Sequence, residues 1–134
     1  MRHQTKKHTL GKAPDQRKAL LRSLATELFT HGEIKTTMAR AKALQPYAEN
    51  VITLAKKGDL NSRRLAGRYI FDKEIGQLID TATGELFDAP QEGKKLAKQT
   101  VLRKLFSIIG VKYSSRKGGY TRIYRLPPRR GDAS

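Results

Sequence analysis

The chain has 134 residues, 37% of them hydrophobic, which suits one domain with a modest core. Its 28 Lys and Arg against 12 Asp and Glu give a formal charge of +16. Such an excess repels itself in a folded body and calls for a polyanionic partner, nucleic acid ahead of an anionic membrane surface. Cysteine is absent, which excludes disulfides and thiolate metal sites, and no apolar run approaches the roughly 20 residues of a membrane span.

Residues 1–13 are basic and poor in large apolar side chains, so they read as an extended N-terminal arm without a core. The arm has no apolar signal segment, and a soluble intracellular protein is expected. A single domain follows over 14–126, with a polar tail over 127–134. Pro14 and Asp15 open a first helix, Leu20, Leu21, Leu24, Ala25 and Leu28 form its apolar stripe, and His31-Gly32 closes it. Glu33-Ile34-Lys35 reads as a short strand. Thr36 and Thr37 then offer hydroxyls to the free N–H groups of a second, longer helix. In that helix Leu44, Tyr47, Val51 and Leu54 recur at intervals of three and four, the spacing of a buried stripe. Gln45, Glu49, Thr53 and Lys56 fall on its far side. Pro46 removes a backbone donor and predicts a local bend near Lys42. Gly58 ends the helix.

Asp59 or Asn61 caps a third helix reaching about Phe71, with Leu65, Ala66, Tyr69 and Ile70 inward. Ile75, Leu78 and Ile79 hint at a further helical turn, followed by loop signals at Thr83-Gly84, Asp88-Ala89-Pro90 and Glu92-Gly93. A fourth helix spans about Leu96–Ile109 and stops at Gly110. Val111-Lys112-Tyr113 and Tyr120-Thr121-Arg122-Ile123-Tyr124 are β-branched and aromatic, with Gly118-Gly119 before the second run, and read as a hairpin. The expected order is helix, strand, three helices, two strands. Pairing the first strand with the hairpin gives a two-layer α+β domain, its helices on one face of a small sheet.

Charge is unevenly spread. Asp72, Glu74, Asp80, Glu85, Asp88 and Glu92 lie within 72–92, beside the single base Lys73. A segment of this sign is expected to point away from a polyanion. No catalytic constellation can be assembled, and no cofactor or metal is expected. His3 and His8 lie in the arm without a completing ligand set, and the Gly11-Lys12 pair lacks the upstream glycine of a phosphate loop. Arg130-Gly131-Asp132 matches an adhesion tripeptide by coincidence.

The bases are more informative. Arg17 and Arg40 each lie four residues before a stripe leucine, Leu21 and Leu44, near a helix N-terminus that favours anions. A core-edge Arg paired with a carboxylate is the competing reading. Arg64 and Arg68 share a side of the third helix, placed for phosphate or for water. In the hairpin, alternation puts Tyr120, Arg122 and Tyr124 on the face opposite Ile123, outward, where Tyr can stack on a base and Arg can bind phosphate. The competing reading makes at least one of these tyrosines core. From Lys112 to Gly131 there are seven bases and no acid, the strongest electrostatic signal in the chain.

The order of motifs resembles the bacterial-type large-subunit ribosomal protein family numbered seventeen. The matching stretches begin with Met1-Arg2-His3, Leu28-Phe29-Thr30-His31 and Glu33-Ile34-Lys35-Thr36-Thr37-Met38-Ala39-Arg40-Ala41-Lys42. Tyr47-Ala48-Glu49, Ile52-Thr53-Leu54-Ala55-Lys56, Arg63-Arg64-Leu65-Ala66 and Asp72-Lys73 follow. Val101-Leu102-Arg103-Lys104-Leu105-Phe106, Gly118-Gly119-Tyr120-Thr121-Arg122-Ile123 and Arg129-Arg130-Gly131-Asp132-Ala133 complete the match. The family usually runs from the Asp-Lys pair almost directly into the Lys-Leu-Phe helix, so about 75–97 reads as an acidic insertion on the solvent side.

The resemblance implies a structural, non-enzymatic protein of the large ribosomal subunit, with large-subunit ribosomal RNA and neighbouring ribosomal proteins as partners. It implies no membrane and no small-molecule substrate. The residues expected at RNA are Arg2, His3, Lys6, Lys7 and Lys12 in the arm; Arg17 and Arg22 in the first helix; Lys35, Thr36, Thr37 and Arg40 at the second; and Arg64 and Arg68 in the third. Arg116, Lys117, Tyr120, Arg122, Tyr124, Arg125, Arg129 and Arg130 complete the set. The alternative is a free DNA- or RNA-binding protein using Lys57-Gly58-Asp59-Leu60 as the turn of a helix-turn-helix. The third helix shows no set of Asn or Gln beside Arg that would read bases.

Overall fold

The computed structural model describes His3 and residues 8–133. Three helices lead the chain: α1 (Pro14–His31), α2 (Met38–Lys57) and α3 (Leu60–Tyr69). Their ends follow the expected chemistry. Pro14 occupies the first turn of α1, and Gly32 leaves it in the left-handed conformation (φ 82°), its N–H bonded to the Leu28 carbonyl. The Thr37 hydroxyl accepts the Arg40 N–H at the start of α2, and the Asp59 carboxylate accepts the Ser62 N–H at the start of α3. Helix α2 runs unbroken across Pro46.

Next comes a three-stranded antiparallel sheet in the order β2-β1-β3, made of β1 (Glu74–Asp80), β2 (Leu86–Phe87) and β3 (Leu96–Thr100). The chain ends its regular structure in one helical rod: α4 (Val101–Lys104), a wider π turn (Leu105–Ile109) and α5 (Gly110–Lys112). Thr100 caps α4 through its hydroxyl, and the Asp72 carboxylate accepts the Leu102 N–H beside it.

The α+β class stands, but the strands are not where the sequence places them. Residues 33–35 are irregular, with Ile34 packed on the core instead of on a strand. Val111 and Lys112 belong to the last helical turn, and residues 120–124 pair with no strand. The sheet forms from the acidic, loop-rich stretch, which supplies β1 and β2, together with Leu96–Thr100, which the sequence places in the fourth helix. Spacing explains the first error: Ile75, Leu78 and Ile79 fit a helical period. Gly76, with φ of 84°, instead sits in the irregular stretch where β1 slips register against β3 between Glu74 and Leu78.

The two-layer arrangement also differs. The core cluster, Ala25, Phe29, Leu44, Ala48, Val51, Ile52, Ala55, Ala66, Ile70, Val101 and Leu105, comes from the helices and the residue after α3. Helices pack on helices, and the sheet stands beside them, touching the core through Ile75.

Gly110 is buried inside the last helical rod; it does not end a helix, contrary to expectation. A Cβ built on it lies 2.8 Å from the Ala55 carbonyl oxygen of α2. Glycine is what lets the two helices approach this closely. Gly67 in α3 has no atom within 4 Å of the same construction. The two glycines therefore respond oppositely to alanine. Gly110→Ala destabilises the fold by about 1–3 kcal/mol in denaturant titration, because backbone must move. Gly67→Ala stabilises it by about 0.5–1 kcal/mol through helix propensity.

Candidate nucleic-acid interface

The interface is built by dividing the cations into those the protein uses internally and those it leaves free. Arg22 belongs to the first group. Its Nε donates to the Ile70 carbonyl (3.2 Å) and its Nη2 to the carbonyls of Gly67 (3.0 Å) and Ile70 (3.1 Å), while its guanidinium lies 4.2 Å from the Phe71 ring centroid. It thus ties α1 to the C-terminal end of α3, where orphan carbonyls favour a cation. Thr26, fully buried, completes the seam by donating to the Arg22 carbonyl and accepting the Phe71 N–H. Lys104 does the same for α1, donating to the Thr30 carbonyl at 2.8 Å. The sheet uses its own lysines: Lys94 pairs with Glu85, Lys98 with Glu74, and Lys73 reaches Glu27. The Lys73 ammonium, followed by His31, holds the Glu27 carboxyl below its usual range.

The C-terminal segment is the largest departure from the expected geometry. It is an unpaired strap lying along the polar face of α2. Gln45 donates to the Thr121 carbonyl at 3.3 Å, and Glu49 accepts both the Thr121 N–H (3.4 Å) and its hydroxyl (3.0 Å). Lys56 donates to the Arg116 carbonyl and to the Tyr120 phenol at 2.8 Å. The Tyr120 ring packs against Tyr113 with centroids 5.5 Å apart and abuts the core. The Lys56 ammonium holds the Tyr120 phenol below its ordinary pKa. Tyr120 is therefore half-buried and fastened, in contrast to the outward face assigned by strand alternation. In sequence Gln45, Glu49 and Lys56 fall on the side of α2 away from its apolar stripe, and their recurrence along that side is the available signal for an anchor.

Beyond those anchors the strap is exposed and basic. Arg122, Tyr124 (75% exposed), Arg125 and Arg130 stand clear, and Lys117 and Arg116 precede them, Arg116 with its guanidinium 5.6 Å from the Tyr113 ring centroid. Arg129 is held by Asp132, whose carboxylate raises its pKa. At the other end of α2, Lys35 and Thr37 are exposed, while Thr36 and Arg40 are half-buried beside the helix N-terminus. Arg17 is half-buried on α1, and Arg64 and Arg68 are exposed on α3. Among the described residues, the side chains of Lys35, Arg40, Arg17, Arg64, Arg68, Lys117, Arg122, Arg125 and Arg130 hold no hydrogen bond or ion pair. His3 and Lys12 are exposed; Arg2, Lys6 and Lys7 lie outside the described residues.

Among the described residues there is no cluster of three or more metal-ligating side chains, and no helix is long and apolar enough to cross a membrane. What the arrangement offers is a set of unpaired cations on a fixed body, suited to phosphates.

Residues 20–134 match the family described as Ribosomal protein L17. The large ribosomal subunit protein bL17 of Lactiplantibacillus plantarum is 45% identical over 125 residues, covering 93% of this chain and 89% of that protein. Those of Oenococcus oeni and Staphylococcus carnosus are each 46% identical over 125 residues, with the same coverage.

Glu49→Ala removes both bonds to Thr121. The expected result is faster hydrogen exchange at the Thr121 amide and new protease cleavage within 116–126, with global stability reduced by only about 1 kcal/mol. Unchanged exchange at Thr121 would show that the strap is held by other contacts.

Proposed function

The chain belongs to the ribosomal protein L17 family, and from that membership we propose that it binds large-subunit ribosomal RNA through its basic strap, its N-terminal arm and the N-terminal end of α2. It is a structural, non-enzymatic constituent of the ribosome, and its address is the large subunit in the cytoplasm. The observation that carries the RNA reading is the strap: among the described residues, six bases between Lys112 and Arg130 lack a carboxylate partner, and side chains of α2 bond the strap's backbone at Arg116 and Thr121. Neutralising phosphates with such bases releases counterions, which gives affinity that falls with salt. A fixed backbone lets those cations match the shape of a folded RNA.

Arg22 is not counted among the contacts, since its guanidinium already serves the carbonyls of α3. Arg129 is counted only as a contact made in exchange for Asp132. The sheet segment, which is acidic and pairs Glu74 with Lys98 and Glu85 with Lys94, faces away from RNA and toward solvent or neighbouring ribosomal proteins.

The full-length protein should sediment with large subunits and leave only under strong salt or denaturant. Recovery in the subunit-free fraction at low salt would defeat the proposal. Arg122→Ala is expected to weaken binding to large-subunit ribosomal RNA by about 1–3 kcal/mol and to reduce the salt slope by about one. Arg40→Ala, at the helix end, should cost more affinity than Lys42→Ala, on the solvated side. Equal losses would remove the α2 N-terminus from the interface.

A further inference from the structure

A cleft lies where α1, α2 and α3 meet, away from the strap. Lys18, Tyr47, Leu65, Arg68 and Tyr69 line it, and its volume is about 280 Å³. That is near the small end of ligand cavities, which run from roughly 300 Å³ upward, and suits one ring system. Its walls are fixed. The Tyr47 phenol donates to the Tyr69 carbonyl at 2.7 Å, and the two rings meet edge to face with centroids 5.4 Å apart. Behind them, Arg22 clamps the α3 C-terminus through the carbonyls of Gly67 and Ile70. Burial pushes the Tyr47 phenol up to about 12, so it stays neutral and hydrogen-bonded at any physiological pH.

Tyr69 is 36% exposed, and Leu65 is half-buried beside it. The side chains of Lys18 and Arg68 are exposed, and neither holds a hydrogen bond or ion pair among the described residues. No carboxylate lines the cleft.

An aromatic and aliphatic surface with two free cations and no acid at its edge matches the chemistry of one nucleotide: a planar base against the Tyr69 ring, its flanking phosphates on Lys18 and Arg68. We propose that this cleft receives a single unstacked base of ribosomal RNA. The inference rests on the RNA-binding reading above and adds to it a base-holding site distinct from the phosphate contacts of the strap. Stacking on tyrosine needs no particular base, so the cleft selects an unpaired nucleotide by shape and position.

The test uses full-length protein, deproteinised large-subunit ribosomal RNA and intact large subunits. Affinity, salt slope and base reactivity are measured for wild type, Tyr69→Ala, Tyr69→Phe and Arg68→Gln, with melting curves for each. Tyr69→Ala should weaken RNA binding about 5- to 150-fold with an unchanged salt slope, and should restore reactivity at one unpaired nucleotide that wild type protects. Tyr69→Phe should bind as wild type, because the ring remains and the Tyr47 bond goes to a backbone carbonyl. Arg68→Gln should lower affinity and flatten the salt slope, and it keeps the test open if Tyr69→Ala melts early. Wild-type affinity and footprint in Tyr69→Ala would overturn the proposal while leaving RNA binding intact. Loss of subunit incorporation with unchanged RNA affinity would also overturn it, giving the cleft to a protein neighbour. Failure of wild type to bind RNA at all would instead remove the reading on which it rests.

Discussion

The bond between Glu49 and Thr121 is where two demands on this chain meet. Helix α2 must bury Leu44, Ala48, Val51 and Ile52 to hold the helices together. The C-terminal segment must stay ordered although its positive charges repel one another. The apolar face of α2 answers the first demand and its polar face the second. Because the strap has no strand partner, its backbone groups need side-chain acceptors and donors, and Glu49, Gln45 and Lys56 supply them. A carboxylate at the centre of that set also offsets part of the local positive field. The core, by contrast, could tolerate loss of this bond, since its buried cluster comes from the helices and Ile70 and the strap adds to it only at its edge, through Tyr120.

A second division runs through the cations. Arg22, Lys104 and Lys56 each donate to main-chain carbonyls, two of them at helix C-termini where partial negative charge gathers. Lys94 and Lys98 pair with acids in or beside the sheet, and Lys73 pairs with Glu27 of α1. These ion pairs are largely exposed and individually worth little, about 0–1 kcal/mol. Their consequence lies in the field: they offset part of the charge of residues 72–100, where six acids face four bases, while the free bases of α2, α3 and the strap keep their charge. A protein of +16 thus confines its self-repulsion to surfaces that a polyanion can cover.

Much of the helical body was legible in the sequence because local rules sufficed. Pro14, Thr37 and Asp59 start helices, Gly32 and Gly58 end them, and a spacing of three and four marks the stripe of α2. The sheet was not legible, since Ile75, Leu78 and Ile79 satisfy a helical period and pairing is a non-local event. For the strap, composition points to a hairpin, but Val111 and Lys112 are helical and Thr121 bonds side chains of α2 in place of a second strand. The same limit applied to Arg22, whose acceptors lie 45 and 48 residues away in sequence. Residue type separates a structural guanidinium from a free one only when its partner is nearby in the chain. Gly110 was misread for a related reason: as a helix stop it follows a local rule, whereas its true role is set by the approach of Ala55.

Two tyrosine pairs show how little an aromatic-and-basic pattern decides without geometry. Tyr113 and Tyr120 sit among Lys56, Lys112 and Arg116, and Tyr120 is, with Tyr124, one of the two tyrosines that strand alternation offers to RNA. Those cations turn inward instead: Lys56 bonds the Tyr120 phenol, and Lys112 and Arg116 lie within 5.6 Å of the Tyr113 ring centroid. The pair therefore satisfies itself. Tyr69 has Arg63, Arg64 and Arg68 just before it in sequence, and folding adds Lys18 from α1 to the edge of the cleft it shares with Tyr47, leaving Lys18 and Arg68 unspent. The opposite pKa directions record the same contrast, with Tyr120 lowered by an ammonium at its hydroxyl and Tyr47 raised by burial. A ring that has already recruited its cations has little left to offer a nucleotide. A ring whose cations wait at the rim offers both a stacking face and a phosphate site, and the second pair is the one built that way.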